Sequence, residues 1–244
     1  MNHNNEKFTR TRQLLGDEVM KKLSASCVAV FGLGGVGGYA VEALVRSGVG
    51  ELILVDFDTI SESNINRQIL ATCDTVGKKK TAVAEMRAKS INPDVHIHVV
   101  DEFVSEQNLG DILSLCKIDY IVDAIDTVTS KIALIKASSE QGIPLVSSMG
   151  TGNKLCPEML CITDIKKTHT CPLARVMRKK LAECGIRSLD VLFSPEQPIK
   201  PTHTETENGR HPPASVSFVP SVAGLMIGGF VVKKLASLDF GVQS

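Results

Sequence analysis

Few folds accommodate the glycine-rich segment GLGGVGG, which occupies residues 32–38. It follows the continuous apolar run 27–31 (CVAVF), typical of a buried strand, and it precedes residues with the pattern of a helix. Glycines let the backbone turn sharply, and they let a pyrophosphate approach the amide groups at the positive end of the helix. The segment therefore predicts a nucleotide-binding turn in which phosphate contacts Gly32, Gly34, Gly35 and Gly37.

An acidic residue follows the glycines at the distance that dinucleotide-binding folds use. Asp56 stands directly after the apolar run 51–55 (ELILV), roughly 20 residues past the glycines. A carboxylate at that position can accept hydrogen bonds from the ribose hydroxyls. Strand, turn, helix, second strand and acid occur in order, which favours a nucleotide site over a glycine turn that binds nothing.

Strand and helix patterns continue to alternate up to about residue 150. Helical patterns at 79–90, 105–115 and 131–141 separate apolar strand patterns at 95–100, 120–124 and 144–148. This alternation predicts an α/β fold, namely a Rossmann-like, doubly wound, mainly parallel sheet.

We predict one domain, 1–244, with three parts. An N-terminal helical segment (1–26) precedes a nucleotide-binding core (27–150) and a C-terminal elaboration (151–244). The elaboration is predicted to contain strands at 158–163 and 191–193, a basic helix at 172–183, a closing strand at 215–219 and a closing helix at 221–238. Five of the ten prolines lie between residues 195 and 213, which predicts a long mobile loop there.

The loop after the second strand distinguishes ATP from NAD as the ligand. A nicotinamide enzyme needs little beyond the acid, whereas attack on a phosphoanhydride needs cations for the triphosphate and acids for magnesium. This chain carries both kinds of group after residue 56, and Asp126 stands at the tip of a later strand, where ligands bind in such sheets. The further candidate ligands of ATP are Asp58, Asn64, Arg67, Gln68 and Lys80, and the candidate Mg²⁺ ligand is Asp126.

Composition narrows the class of protein further. Lys plus Arg number 27 and Asp plus Glu number 27, so no overall charge attracts nucleic acid or membrane. The first 26 residues are polar and charged, which predicts a cytoplasmic protein without a signal peptide. The seven cysteines are scattered and form no CxxC pair, which argues against a disulfide scaffold and against a zinc site.

These motifs together resemble the ubiquitin-activating superfamily, whose bacterial members adenylate the C-terminus of small sulfur-carrier proteins. The resemblance runs in order from residue 10 to residue 150 and includes the motifs VDFD (55–58), SN (63–64), NRQ (66–68) and NP (92–93). It implies that Arg67, Lys80 and Asp126 are catalytic. It also implies that Arg12 reaches the nucleotide of a neighbouring subunit, and therefore that the protein is a homodimer.

The second half resembles one branch of that superfamily, the bacterial tRNA threonylcarbamoyladenosine dehydratases. The matching residues include IPLV (143–146), TDI (163–165), PLA (172–174) and VLFS (191–194). This resemblance implies ATP-dependent cyclisation of a threonylcarbamoyl group on an adenosine of tRNA. One departure is Cys171, where the family favours an acid before the PLA motif, so the following helix loses a good N-cap.

A basic stretch is the candidate tRNA contact. From residue 166 to residue 187 there are seven basic residues and one acid. Phosphate contacts dominate affinity for nucleic acid, although a solvated helix face would have the same composition. The predicted tRNA-binding residues are Arg175, Arg178, Lys179 and Lys180.

Three other functions stay open at this point. The first is an adenylyltransferase for a sulfur-carrier or ubiquitin-like protein; the second is a non-catalytic partner of a sulfur-transfer protein; the third is a nicotinamide oxidoreductase. Members of the first class usually hold zinc with two CxxC pairs, which this chain lacks. The sequence also leaves open whether a monovalent cation binds.

Overall fold

Two short helices, α1 (Thr9–Leu15) and α2 (Asp17–Ser24), precede the sheet in the computed structural model, which describes residues 6–202 and 213–238. Gly16 separates them with a φ of +84°, a conformation that favours glycine. The predicted N-terminal helical segment is therefore two helices with a sharp joint.

A single seven-stranded sheet forms the centre of the molecule. Its strands are β1 (Cys27–Phe31), β2 (Glu51–Val55), β3 (His96–Val100), β4 (Tyr120–Asp123), β5 (Leu145–Ser148), β6 (Cys161–Asp164) and β7 (Asp190–Phe193). Their order across the sheet is β3-β2-β1-β4-β5-β7-β6, and each pair of neighbours is parallel except β6 with β7. The predicted fold class is confirmed.

Helices cover both faces of the sheet and bury two apolar layers. The helices that follow α2 are α3 (Gly37–Arg46), α4 (Lys80–Ile91), α5 (Leu109–Leu113), α6 (Val128–Gln141), α7 (Pro172–Glu183) and α8 (Phe218–Leu235). One apolar layer packs beneath α2, α3, α4 and α8, and the other packs beneath α5, α6 and α7. Parallel strands are apolar on both sides because both faces are covered in this way.

The C-terminal elaboration extends the same sheet. β7 pairs in parallel with β5, and β6 adds an antiparallel edge. The predicted strand at 215–219 is wrong: α8 already begins at Phe218, and Pro220 lies in its first turn, where a missing N–H costs nothing. Residues 215–217 have no regular structure, and only Phe218 and Val219 of this run are helical.

Only part of the predicted mobile loop, 195–213, lies within the described residues. Residues 203–212, which include His203 and His211, lie outside them. The described beginning of the loop is bonded to residues 155–156, since the carboxylate of Glu196 accepts from the amides of Leu155 and Cys156 at 2.8 and 3.0 Å.

α8 is long and apolar enough to cross a membrane by length and composition alone, with 18 residues and a mean hydropathy of 1.5. It packs along α3 through two glycines instead. A Cβ on Gly224 would lie 2.2 Å from the carbonyl oxygen of Val36, and one on Gly228 would lie 2.5 Å from the Cβ of Ala43. Any larger residue would separate the two helices, so α8 is a core helix of this domain.

Candidate nucleotide-binding site

The glycine-rich segment lies where the sheet changes direction. From β1 the chain crosses to β2 on one side, and from β3 it crosses to β4 on the other side of β1. Ligands of doubly wound sheets bind at the carboxyl ends of the strands at such a point. The predicted site is therefore the crevice between the ends of β1 and β4.

Two of the four glycines are required by the backbone itself. Gly32 has a φ of +87°, and a Cβ there would lie 2.7 Å from the carbonyl oxygen of Ala124. A Cβ on Gly37 would lie 1.7 Å from the carbonyl oxygen of Gly32. These two residues close the turn against the end of β4, so their role is to shape it.

The other two glycines form the accessible part of the turn. A Cβ on Gly34 would meet nothing nearer than the side-chain nitrogen of Gln68 at 3.8 Å. Gly35 has less space around it, because a Cβ there would lie 3.2 Å from the Cβ of Pro220. Gly34 therefore leaves open space in front of the backbone amides, which is where a phosphate would approach.

Asp56 binds the glycine turn directly. Its Oδ2 accepts a hydrogen bond from the amide of Leu33 at 2.6 Å, and its Oδ1 accepts one from the amide of Asp58 at 2.8 Å. Burial raises the pKa of this carboxyl, and the nearby ammonium of Lys80 opposes that rise. Each carboxylate oxygen keeps further acceptor capacity, so the predicted ribose contact stays a prediction.

Lys80 projects from the first turn of α4 toward the same acids. Its Nζ lies 2.5 Å from Oδ2 of Asp58 and 3.9 Å from Oδ2 of Asp56, and the lysine side chain is 7% exposed. A buried cation that faces two carboxylates at the mouth of the crevice is placed to meet a polyphosphate. The structure thus brings three predicted ligands together.

Gln68 has a buried side-chain oxygen without a protein partner. The residue is 7% exposed, and its Oε1 accepts no hydrogen bond from any residue within 6–202 or 213–238. A buried polar atom left unpaired costs about 1–3 kcal/mol, so such an atom calls for an explanation. The nitrogen of the same amide, Nε2, is the atom nearest Gly34, so it can donate a hydrogen bond into the open space there.

Arg67 and Asn64 belong to the turn that carries Gln68. The guanidinium of Arg67 donates to the carbonyl of Ser63 and to the side chain of Asn66, at 2.8 and 2.9 Å. Asn64 accepts from the amide of Ser61 at 3.2 Å and so closes the turn. Both side chains shape this loop in the structure, and their predicted contacts with triphosphate stay predictions.

Asp126 lies at the same edge of the sheet, just beyond β4. It is exposed, and its carboxylate accepts from the hydroxyl of Thr127 at 3.3 Å. The carbonyl of Ala124, two residues earlier, touches the glycine turn. An exposed carboxylate beside a phosphate turn fits the predicted magnesium ligand, since Mg²⁺ is commonly held by one or two carboxylates together with phosphate oxygens.

A match along almost the whole chain identifies the family. The model of the ThiF family matches residues 8–241. The chain belongs to the ThiF family.

Relatives within and around the ThiF family match over most of their length. The tRNA threonylcarbamoyladenosine dehydratase of Bacillus subtilis (strain 168) is 42% identical over 239 residues, which cover 93% of this chain and 94% of the relative. Structures of the E. coli tRNA N6-threonylcarbamoyladenosine dehydratase in complex with ATP and with AMP have TM-scores of 0.88 and 0.89 at 32% identity. Each covers 97% of this chain, and the chain covers 96% and 97% of them. The resemblance inferred from the sequence is confirmed.

The turn that carries Asp126 in this ThiF-family chain is held by a buried ion pair that the sequence did not reveal. Lys131 and Asp123 are both fully buried, with Nζ 2.9 Å from Oδ2, and the lysine also donates to the carbonyl of Ile125 at 3.0 Å. Ser147 on β5 donates to the same carboxylate at 2.6 Å. A lysine among apolar helix residues was the available signal, but its partner became apparent only in the fold.

Arg12 lies apart from the other predicted catalytic residues. It is on α1, where its guanidinium is 3.3 Å from the carboxylate of Asp17. The predicted role of Arg12 concerns a neighbouring subunit, so its place in this single chain leaves that prediction untested.

The predicted tRNA-binding residues do not behave as one group. Arg175, Lys179 and Lys180 are exposed on α7. Arg178 is half-buried, and its guanidinium donates to the carbonyl oxygen of Thr168 at 2.7 Å, which holds the turn before the helix. Three of the four predicted residues are therefore free to meet a ligand, and Arg178 has a structural contact.

Proposed function

We propose that this chain is an ATP-dependent dehydratase of threonylcarbamoyladenosine in tRNA. The observation that supports this proposal most strongly is the 42% identity to the tRNA threonylcarbamoyladenosine dehydratase of Bacillus subtilis, over 94% of the length of that enzyme. That similarity includes the elaboration after residue 150, which a comparison of nucleotide-binding cores alone would leave out. The open space at Gly34, the Gln68 amide nitrogen that faces it and the ammonium of Lys80 support a nucleotide with phosphates as the co-substrate.

The proposed reaction has two steps. A free carboxylate is a poor electrophile, so the threonylcarbamoyl carboxylate first attacks the α-phosphate of ATP and forms an acyl-adenylate with loss of pyrophosphate. A nucleophile within the same modified base then attacks the activated carbonyl, which closes a ring and releases AMP. The second attack is intramolecular and gains from proximity, so it needs no covalent bond to the enzyme.

Within this scheme each residue has one task. The amides of the glycine turn, with Arg67 and Lys80, neutralise the triphosphate, and Asp56 accepts from the ribose. Asp126 would hold Mg²⁺ against the phosphates, and the ion would supply charge stabilisation to the departing pyrophosphate. None of these tasks requires zinc, and the question of a monovalent cation stays open.

Two of the free cysteines are poor candidates for a thioester step. Burial raises the pKa of Cys161, and desolvation together with Glu196 and Glu158 raises the pKa of Cys156. A raised pKa lowers the fraction of thiolate, which is the nucleophilic form. This argues against a thioester at these two residues, the step that several enzymes of the alternative class use, namely adenylyltransferases that activate a sulfur-carrier or ubiquitin-like protein.

A homodimer is the proposed assembly. Leu14, two residues from Arg12 on α1, is 84% exposed, so this part of α1 presents an apolar side chain that a partner can cover. A second copy of the chain at α1 would cover Leu14 and bring Arg12 to the other subunit's nucleotide. A cytoplasmic location suits a tRNA substrate, and a sulfur-transfer partner is not needed for the reaction.

The first test is product formation. With ATP, Mg²⁺ and tRNA that carries threonylcarbamoyladenosine, we expect the modified nucleoside to lose the mass of one water, with one AMP released for each. Mass spectrometry of digested tRNA measures the first quantity and chromatography the second. Pyrophosphate exchange that depends on a small protein ending in Gly-Gly, without change in the nucleoside, would instead establish the alternative.

A second test concerns the tRNA surface on α7. Reversing the charge of Arg175, Lys179 and Lys180 to Glu should weaken tRNA binding and leave ATP binding unchanged. Each lost phosphate contact should reduce the slope of log affinity against log salt by about 0.7 to 0.9. Arg178 is kept because its contact with Thr168 is structural.

The matched control for that test reverses three exposed lysines on the other face of the sheet. These are Lys22, Lys233 and Lys234, which change the net charge by the same amount. If the control weakens tRNA binding as much as the α7 variant, the effect comes from net charge and α7 is not the contact surface.

A further inference from the structure

Four polar side chains with metal-ligating atoms gather at the edge of the sheet opposite the nucleotide site. Cys27, Glu51 and His96 stand at the first positions of β1, β2 and β3, and the register places them side by side across the three strands. His98 lies two residues further along β3, so it points to the same face. None of these residues takes part in the proposed reaction.

A fifth side chain reaches this row from the segment before β4. Cys116 is half-buried, and its Sγ lies within disulfide-bonding distance of that of Cys27, although the two residues are 89 apart in sequence. The Sγ atoms of both cysteines and a carboxylate oxygen of Glu51 lie within 4.8 Å of one another. The other five cysteines of the chain are free.

The backbone at this pair favours a shared ligand over a permanent disulfide. The Cα atoms of Cys27 and Cys116 are 7.4 Å apart, whereas bridged cysteines usually have Cα atoms about 4.4–6.8 Å apart. A metal ion between two sulfurs, at about 2.3 Å from each, accommodates a wider separation. Two sulfurs, a carboxylate and imidazoles also form the donor set that zinc prefers.

We propose that Cys27, Cys116 and Glu51 bind a divalent transition metal ion of the zinc type. His98 orients Glu51, because its Nε2 lies 2.7 Å from Oε1 of that carboxylate. His96 is more remote at 3.8 Å and mostly exposed. On binding, the two thiols lose their protons to solvent and bond to the metal as thiolates, so nothing is oxidised or reduced.

The local surroundings fit a structural ion. The amide of Cys27 donates to the carboxylate of Asp119 at 2.9 Å, which holds the start of β1 beside the segment that carries Cys116. An ion here would cross-link the beginnings of β1 and β2 to the segment before β4. The sequence prediction of no zinc rested on the absence of CxxC pairs, and that spacing rule does not detect ligands that only the sheet brings together.

The test measures metal binding to the reduced full-length protein, with Co²⁺ and Zn²⁺ as probes. We expect one equivalent per chain and a thiolate-to-cobalt charge-transfer band that Zn²⁺ abolishes. Cys116→Ser should remove the band, and His98→Gln should weaken binding by about 10–100-fold, as is usual for a partner that orients a ligand. Cys184→Ser, at an exposed free cysteine, is the matched control and should bind like the unaltered protein.

Two results would overturn the proposal. One is cobalt binding by the unaltered reduced protein that is no tighter than binding by Cys116→Ser. The other is a charge-transfer band that Cys184→Ser removes as well, since the site would then lie elsewhere. Circular dichroism of each variant shows whether the fold is kept, and neither result depends on enzymatic activity.

Discussion

Replacing Asp126 by alanine should reduce AMP formation by about 100-fold or more, the loss seen when one preorganised electrostatic group is removed from an active site. The fold should be unaffected, because Asp126 is exposed and its hydrogen bond is to its neighbour Thr127. Single-turnover AMP release from tRNA and ATP measures the first effect, and thermal unfolding measures the second.

The control for Asp126 is Asp111→Ala, at an exposed acid on α5 outside the crevice. It should keep both activity and melting temperature. AMP release from a folded Asp126→Ala protein at a rate close to that of Asp111→Ala would remove Asp126 from the active site, and the magnesium ligand would have to be another acid.

Replacing Lys131 by methionine should destabilise the protein by about 3–5 kcal/mol, because the carboxylate of Asp123 would remain buried without its cation. Both groups are fully buried 2.9 Å apart. Denaturant unfolding measures the change. Lys136→Met is the matched control on the same helix: its partner Glu106 is exposed and 3.7 Å away, so the cost should be below about 1 kcal/mol.

A second substitution separates the charge from the packing. Adding Asp123→Asn to Lys131→Met should recover part of the lost stability, because the neutral amide can still accept from Ser147 without leaving an unpaired charge. If Lys131→Met costs no more than Lys136→Met, the buried pair does not stabilise the Asp126 turn.

The arrangement of this fold was predictable where local pattern decides it. The glycine turn, the acid at Asp56 and the alternation of strands and helices are short-range features, because backbone conformation and burial on both faces dictate which residues can occur there. The prediction at 215–219 was wrong for a related reason. A short apolar run suits a strand or a buried helix equally, and its last two residues, Phe218 and Val219, begin α8, which packs against α3 through Gly224 and Gly228.

The predicted site residues fall into two groups once the chain is folded. Asp56, Asp58 and Lys80 meet because they flank one turn at one sheet edge, as the motif implied. Arg178 was predicted from charge alone, and charge does not reveal that its guanidinium bonds to Thr168. The sequence also does not reveal that the side-chain oxygen of Gln68 is buried without a hydrogen-bond partner, because burial depends on how the chain folds.

The sequence by itself determined the fold class, the position of the glycine turn and the family, because each depends on residues close together in the chain. Only the tertiary structure decided that Lys131 neutralises Asp123, and that the side chains of Cys27, Glu51 and Cys116 lie next to one another. Those groups come from different strands and connections, and strand order and register bring them together. Pairings of that kind leave no periodic or local trace in a single sequence.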